Sequence, residues 1–509
     1  MNQAPGIIAV LVVTVATLAI GTWGLRFSRT TSDFMVASRT VRPRLNASAI
    51  GGEYLSAASF LGIAGLVLVR GTEMMWYPVG WTAGYLVLLV LVAAPLRRSG
   101  AYTLSDFAEA RLGSRGVRAL CSVLVVLVGW LYLLPQFQGA GITLQSTIGT
   151  PRWVGEVVVP VVVLINVLAG GMRSITFVQA FQYWLKLTAL LLPIMVLLLV
   201  WVGDGAPHPV DVPASGVSPE AWALPLAGAD GQGLYLTYSL IVATFLGTMG
   251  LPHVVVRFYT NPDGRAARRT TLVVLVLLGM FYLLPPLYGA LGRVYADALV
   301  TAGRTDVLVL ELPRLMVPGP WGEVLTGLVT AGAFAAFLST SSGLAIAVAG
   351  VLSQDVTSRP VRGRRLSGVT AFRAGCVIAI AFPCALALVV TDSVGVARAV
   401  GLAFAVAAST FCPLLVLGIW WRGLTRVGAI AGLLVGGLGS GTAVLRTLST
   451  PPDTSWGSVL LEQPAAWSVP AAFLTMWGVS LATRSQIPRD VHRTMVRLHT
   501  PEQVQLDRG

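Results

Sequence analysis

The chain has 509 residues, of which 55% are hydrophobic and only 11% charged, with a mean hydropathy of +0.76. A soluble protein of this length would carry roughly 25% charged residues, so the composition excludes a soluble globular protein and points to a polytopic helical membrane protein. The net charge of +13 is spread along the whole chain between apolar runs, which is no basis for a nucleic-acid surface.

In chain order the apolar runs predict thirteen spans, at about 5–25, 45–69, 74–96, 119–147, 153–171, 176–202, 233–256, 270–292, 322–352, 374–391, 394–420, 427–445 and 465–483. The first has no charged n-region and no A-x-A cleavage pattern, so it is read as a mature helix entering outside-first, not as a signal peptide. The second carries "GGEYLSAASFLG" (51–62), where two glycines, a glutamate, a tyrosine and the hydroxyls of Ser56 and Ser59 stand in place of Leu and Val. Polar clusters in hydrocarbon are costly unless they face protein or a water-filled cavity, so this stretch is read as a functional site. The fourth span holds "LLPQFQGAG" with Gln136 and Gln138. The sixth holds Lys186, the one lysine among 35 basic residues. It lies roughly 15 Å into its span, with Gln179 seven residues earlier on the same face.

After the sixth span, the connection 203–232 is rich in Pro, Gly and Asp and has no Lys or Arg. The seventh span ends in "ATFLGTMGLPH" (243–253), where Gly247, Gly250 and Pro252 interrupt regular helical hydrogen bonding. The ninth contains "STSSG" with the adjacent hydroxyls of Ser339 and Thr340. The tail beyond 483 is too short for a kinase or nucleotide-binding domain, so neither an ATP-driven engine nor a signalling output is expected. Cys121, Cys376, Cys384 and Cys412 all fall in spans without C-x-x-C spacing and read as packing residues.

With the amino terminus outside, 27 arginines border cytoplasmic connections and 7 border outside ones. That asymmetry follows the positive-inside rule and places the carboxyl terminus in the cytoplasm of a multi-pass cell-membrane protein. The basic charge therefore reports topology, and no nucleic-acid partner is expected. The second and seventh spans are both broken, their starts lie five spans apart, and they run in opposite directions. Two such helices point to an inverted repeat with a binding site at the midplane; close packing by membrane glycines is the competing explanation.

Five stretches resemble the sodium:solute symporter family, and within it the cation/acetate (monocarboxylate) branch: "TTSDFMVASRTV" (30–41), "GGEYLSAASFLG", "GGMRSITFVQAFQYWLKLTALLLP" (170–193), "GTMGLPHVVVRFYT" (247–260) and "AAFLSTSSGLAIAVAGVLSQDV" (335–356). The resemblance implies an all-α, leucine-transporter-like fold with a five-plus-five inverted repeat in spans two to eleven. It would form a single membrane domain over 1–509. Residues 1–26 are an extra amino-terminal span, the repeat core occupies 45–256 and 233–420 with the second repeat from 233, 427–483 adds two spans, and 484–509 is a tail.

The resemblance also implies a Na⁺ site between the second and ninth spans. Its ligands would be the carbonyls of Gly52, Leu55 and Ala336 and the hydroxyls of Ser339 and Thr340, oxygen donors that suit a hard cation. Ser and Thr bonding back to carbonyls one turn earlier is the structural alternative for the two hydroxyls. Cargo would sit nearer the midplane, where half-helix starts offer N–H groups to a small carboxylate. Ser56, Ser59, Thr244 and Thr248 are the candidate lining residues, with Gln136 and Gln138 open between lining and helix–helix contact. Glu53 is expected to face the cytoplasmic vestibule. Lys186 stands between two readings: a structural lysine bonded to carbonyls, or a group that modulates or replaces the cation, making H⁺ a candidate coupling ion beside Na⁺.

The implied function is secondary symport of a small monocarboxylate such as acetate, propionate or pyruvate with Na⁺ or H⁺, with no other cofactor and no obligate protein partner. A symporter for another small solute such as an amino acid, a channel and a transport-free sensor are the alternatives. An enzyme is not expected, since H-E-x-x-H and G-x-S-x-G are absent and His208, His492 and His499 lie in a loop or the tail. His253, beside the seventh-span break, reads as a packing or gating residue.

Overall fold

In lipid a chain must satisfy its backbone polar groups within itself, and these apolar runs do so as helices. The computed structural model describes residues 3–24, 26, 31–209, 212–226, 231–357, 368–390, 395–450 and 455–504. Among them the only β-pairing is the isolated bridge between Val212 and Val217. Arg29, Arg508 and the cytoplasmic cluster Arg359 to Arg365 lie outside the described residues.

The membrane helices, in order, begin with α1 (Ala4–Gly24), α2 (Pro43–Tyr54), α3 (Ile63–Arg70), α4 (Trp76–Val87) and α5 (Ala93–Ser99). They continue with α6 (Arg115–Ile148), α7 (Arg152–Gly203), α8 (Gly231–Gly250), α9 (Pro252–Phe258), α10 (Gly264–Tyr282) and α11 (Leu284–Tyr295). The last are α12 (Pro320–Thr357), α13 (Gly368–Val389), α14 (Val396–Trp420), α15 (Arg426–Ser449) and α16 (Ala465–Ala482). Eleven continuous helical stretches among the described residues are long and apolar enough to cross a membrane. One of these, α7, is a double span: 52 residues turned at Gly171, whose φ of 56° and ψ of −153° favour glycine. A Cβ there would stand 2.6 Å from the Phe34 ring. Another, Ala58–Ser99, joins the second half of span two to span three. With α2 completing span two, the count is the expected thirteen.

Both expected breaks are present. Span two leaves the helix at Leu55 (φ −73°, ψ 84°) and resumes through a wide turn at Ala58–Gly62. Span seven breaks at Leu251 (φ −70°, ψ 120°), with Pro252 opening α9, where its missing N–H costs nothing.

Helices α12 and α14 form the centre, with 94% and 89% of their most apolar stretches buried, against 33% for α1 and α16 at the periphery. Helix α12 packs on α7, α6 and α13, while α8 packs on α14 and α4. Glycines allow the closest approaches. A Cβ on Gly52 would meet the Gln179 carbonyl at 2.1 Å, and one on Gly343 would meet Glu53 Oε1 at 2.0 Å.

Three arginines counted above as loop residues are buried instead: Arg111, Arg257 and Arg293. Arg111 caps the end of α14 through the carbonyls of Gly418 (2.8 Å) and Trp421 (3.0 Å). Arg293 donates to Val217 O (2.8 Å) beneath the 203–232 connection, which plugs Trp222 into the bundle through a bond from Nε1 to Val67 O (2.7 Å). A tail helix, α17 (Val491–His499), folds back onto α5. Arg98 donates to the carbonyls of Leu498 and His499 and pairs with Glu502, whose Oε1 accepts from Gly264 N–H (2.8 Å) at the start of α10. The His499 ring packs against Trp420 at the end of α14.

Candidate functional site

The last carbonyls of a helix have no partner within it, and α2 ends in the middle of the bundle. Leu55 N–H still reaches Gly51 O, but the carbonyls beyond are taken by side chains from two other helices. Lys186 Nζ on α7 donates to Gly52 O and to Leu55 O (2.7 Å). Thr340 Oγ1 on α12 donates to Glu53 O (2.6 Å). Lys186 Nζ also donates to Ser339 Oγ (3.0 Å), which in turn donates to Ala336 O (3.1 Å). An ammonium has three protons, and all three are engaged here. Beyond the break, the Ala57 N–H donates to Gln136 Oε1 (3.1 Å).

Glu53 does not face a vestibule. It is 2% exposed, and its Oε2 accepts from Arg257 Nε at 2.5 Å. Arg257 further donates to Thr176 Oγ1 (2.9 Å) and to Gln179 Oε1, while Gln179 Nε2 donates to Ser339 O (2.8 Å). Arg257, Glu53 and Lys186 thus sit in one buried hydrogen-bonded web of α2, α7, α9 and α12, two cations against one carboxylate. Arg257 is held by three partners, whereas of the Glu53 carboxylate only Oε2 is paired and Oε1 has no hydrogen-bond partner among the described residues. Sequence reading missed Arg257 because it sits beside a run of loop arginines. The signal available was its place seven residues after the Gly250 break, still inside an apolar stretch.

On the other side of the break lies an aromatic box. The Tyr54 ring meets Tyr85 (4.8 Å between centroids) and Phe404 (6.2 Å). Trp81 meets Phe404 (5.6 Å) and Tyr282 (5.8 Å), and Tyr132 meets His253 (5.3 Å). Tyr54 OH bonds to Thr248 Oγ1 (2.7 Å), Ser59 Oγ to Tyr282 OH (2.9 Å), and Ser56 lies beside the Tyr132 hydroxyl. Several buried polar atoms around this box have no protein partner among the described residues: Trp81 Nε1, Tyr85 OH, Gln136 Nε2 and both ring nitrogens of His253. Buried polar groups are nearly always paired, so a cluster of orphans marks a place built to meet something else.

The expected lining residues divide. Ser56, Ser59, Thr248 and Gln136 border the box. Thr244 bonds back to Leu240 O (2.8 Å) and packs against Gly80, and Gln138 donates to Val390 O (2.9 Å) at the end of α13. The aromatic lining was not expected, although Tyr77, Trp81 and Tyr85 recur every four residues and so share one face of α4.

Residues 34–436 match the sodium:solute symporter family. The chain belongs to that family. As a family member it is a multi-pass symporter that moves a solute with a coupling cation. It is 29% identical over 504 residues to the uncharacterised symporter YwcA of Bacillus subtilis, covering 95% of this chain and 96% of that one. Its fold matches a substrate-bound, outward-open Na⁺-coupled sialic acid symporter with a TM-score of 0.68, at 15% identity over 93% of this chain and 97% of that one. The fold is the leucine-transporter-like arrangement that the family resemblance implied, and its two broken spans are those of the expected inverted repeat.

Proposed function

We propose that the chain imports a small monocarboxylate of the acetate, propionate or pyruvate kind together with a cation, by alternating access across the cell membrane. The observation that supports this reading is the set of unspent donors around the box. Trp81 Nε1–H, Tyr85 O–H and the Gln136 amide can all donate, and an ionised carboxylate is an acceptor only. The aromatic faces suit a short apolar tail. Ser56 and Thr248 complete the polar edge, Ser59 and Tyr282 the far wall. Thr244 and Gln138 act from behind, as packing.

The two half-helix junctions supply the moving parts: spans two to six form one repeat and spans seven to eleven the other, rocking about the site between them. The arginine asymmetry supports an outside amino terminus and a cytoplasmic carboxyl terminus. The test is uptake of labelled acetate, propionate and pyruvate into proteoliposomes under separately imposed Na⁺ and pH gradients. Saturable accumulation of at least one acid is expected, with KM raised by Trp81→Phe and Gln136→Leu. Accumulation of an amino acid or sugar in place of every monocarboxylate would overturn the cargo assignment. Binding without accumulation would favour a sensor.

A further inference from the structure

The position that family resemblance assigns to a coupling Na⁺ already holds a positive charge. Lys186 Nζ touches three of the five expected oxygen donors: Gly52 O, Leu55 O at 2.7 Å and Ser339 Oγ at 3.0 Å. The other two are also engaged: Ala336 O accepts from Ser339 Oγ, and Thr340 Oγ1 is turned to Glu53 O. Lys186 is fully buried, and its ammonium is surrounded by protein oxygens in this arrangement. The facing charges are Glu53 from α2 and, paired to it, Arg257 from α9, while α12 presents only hydroxyls and carbonyls. A Na⁺ at this point would find its oxygens spent, and it would be a third cation beside one carboxylate.

We propose that the Lys186 ammonium is the permanent cation of this site: a charge tethered to α7 that holds the end of α2 where a free ion otherwise would, so that Gly52, Leu55 and Ser339 take no Na⁺ while Lys186 is present. This deepens the symporter reading by stating what occupies its cation site, and it does not depend on the cargo. The residue types around Nζ remain those of a cation site. Removing the ammonium therefore uncovers one. Methionine ends one atom short of Nζ and carries no charge, so Lys186→Met leaves the oxygens facing an open position.

The experiment is equilibrium binding of ²²Na⁺ to the purified full-length protein, by scintillation proximity without cargo, in wild type, Lys186→Met, Ser339→Ala and the double variant. Ser339-dependent binding is expected to be absent from wild type and present in Lys186→Met. The gain should be about tenfold or more, because a resident unit charge a few ångströms away disfavours a second cation by at least that factor. Ser339-dependent Na⁺ binding in wild type would overturn the proposal, as would its absence from a folded Lys186→Met protein. If Lys186→Met does not fold, comparison of wild type with Ser339→Ala decides alone. Since no cargo is present, failure of monocarboxylate uptake would count only against the cargo assignment.

Discussion

The two broken spans occupy corresponding places in the two repeats, yet they are held open by different means. At the second span the end of α2 is stitched by side chains: Lys186, Thr340 and Gln136 take its loose carbonyls and N–H, and Glu53 is clamped by Arg257. At the seventh, the opening depends on one extended residue, a proline and packing, with Gly247 and Gly250 laid against the α14 backbone at Phe404 and Ala407. One junction is a polar joint whose every strand comes from another helix, and the other is an apolar hinge. The difference teaches that inverted symmetry of path does not require symmetry of chemistry. Buried polar contacts are concentrated where the backbone is held by other helices' side chains.

Breaking the polar joint should have the largest effect. Glu53→Ala strands a buried guanidinium and should cost about 3–5 kcal/mol, read as a fall in the thermal midpoint of purified protein. A Glu53→Leu/Arg257→Leu double variant should recover much of that loss, and no recovery would mean that the pair matters only through its separate contacts. Next is Gly52→Ala, whose new methyl group meets the Gln179 carbonyl at 2.1 Å. The overpacking should cost roughly 1–3 kcal/mol and lower uptake more than Gly279→Ala, where a Cβ meets nothing within 4 Å.

Gln136→Leu and Thr340→Val each leave one backbone group at the joint unpaired, at about 1–3 kcal/mol. Hydrogen exchange should then quicken around Ala57 for the first variant, whose lost partner is the Gln136 amide. The apolar hinge should be the most forgiving. Pro252→Ala restores an N–H that a first-turn position does not use, so the expected change in stability is about 0.4–1 kcal/mol. A larger loss would show that the two junctions are more alike than their contacts suggest.

Much of the second-span junction was legible because charge and hydroxyl are rare in hydrocarbon, so Glu53, Ser339, Thr340 and Lys186 each announce themselves against an apolar background. The break at Pro252 was legible for the same reason, since proline and paired glycines interrupt a helix wherever they fall. What the sequence hid was identity of partner. Arg257 blends into a basic connection, and only the fold shows its guanidinium turned inward to Glu53. The box was harder still. Trp81 and Tyr85 share a helical face, but aromatic stripes in spans usually pack against neighbours, and Tyr132, Tyr282 and Phe404 converge from three further helices that no local pattern links. Gln138 and Thr244 show the opposite side of the same problem: each is polar within a span, and each donates to a carbonyl, that of Val390 and that of Leu240, which no local pattern foretells.

The fold-back of α17 gives one stretch of chain simultaneous hold of α5, α10 and α14, the ends of spans three, eight and eleven. Spans three and eight are counterparts in the two repeats, so any relative movement of the repeats must either carry this strap along or peel it away. An environment-sensitive dye on the outer face of α17, at the exposed Val496, would therefore tell the two apart: its fluorescence changes on turnover if the strap peels away and stays constant if it is carried along.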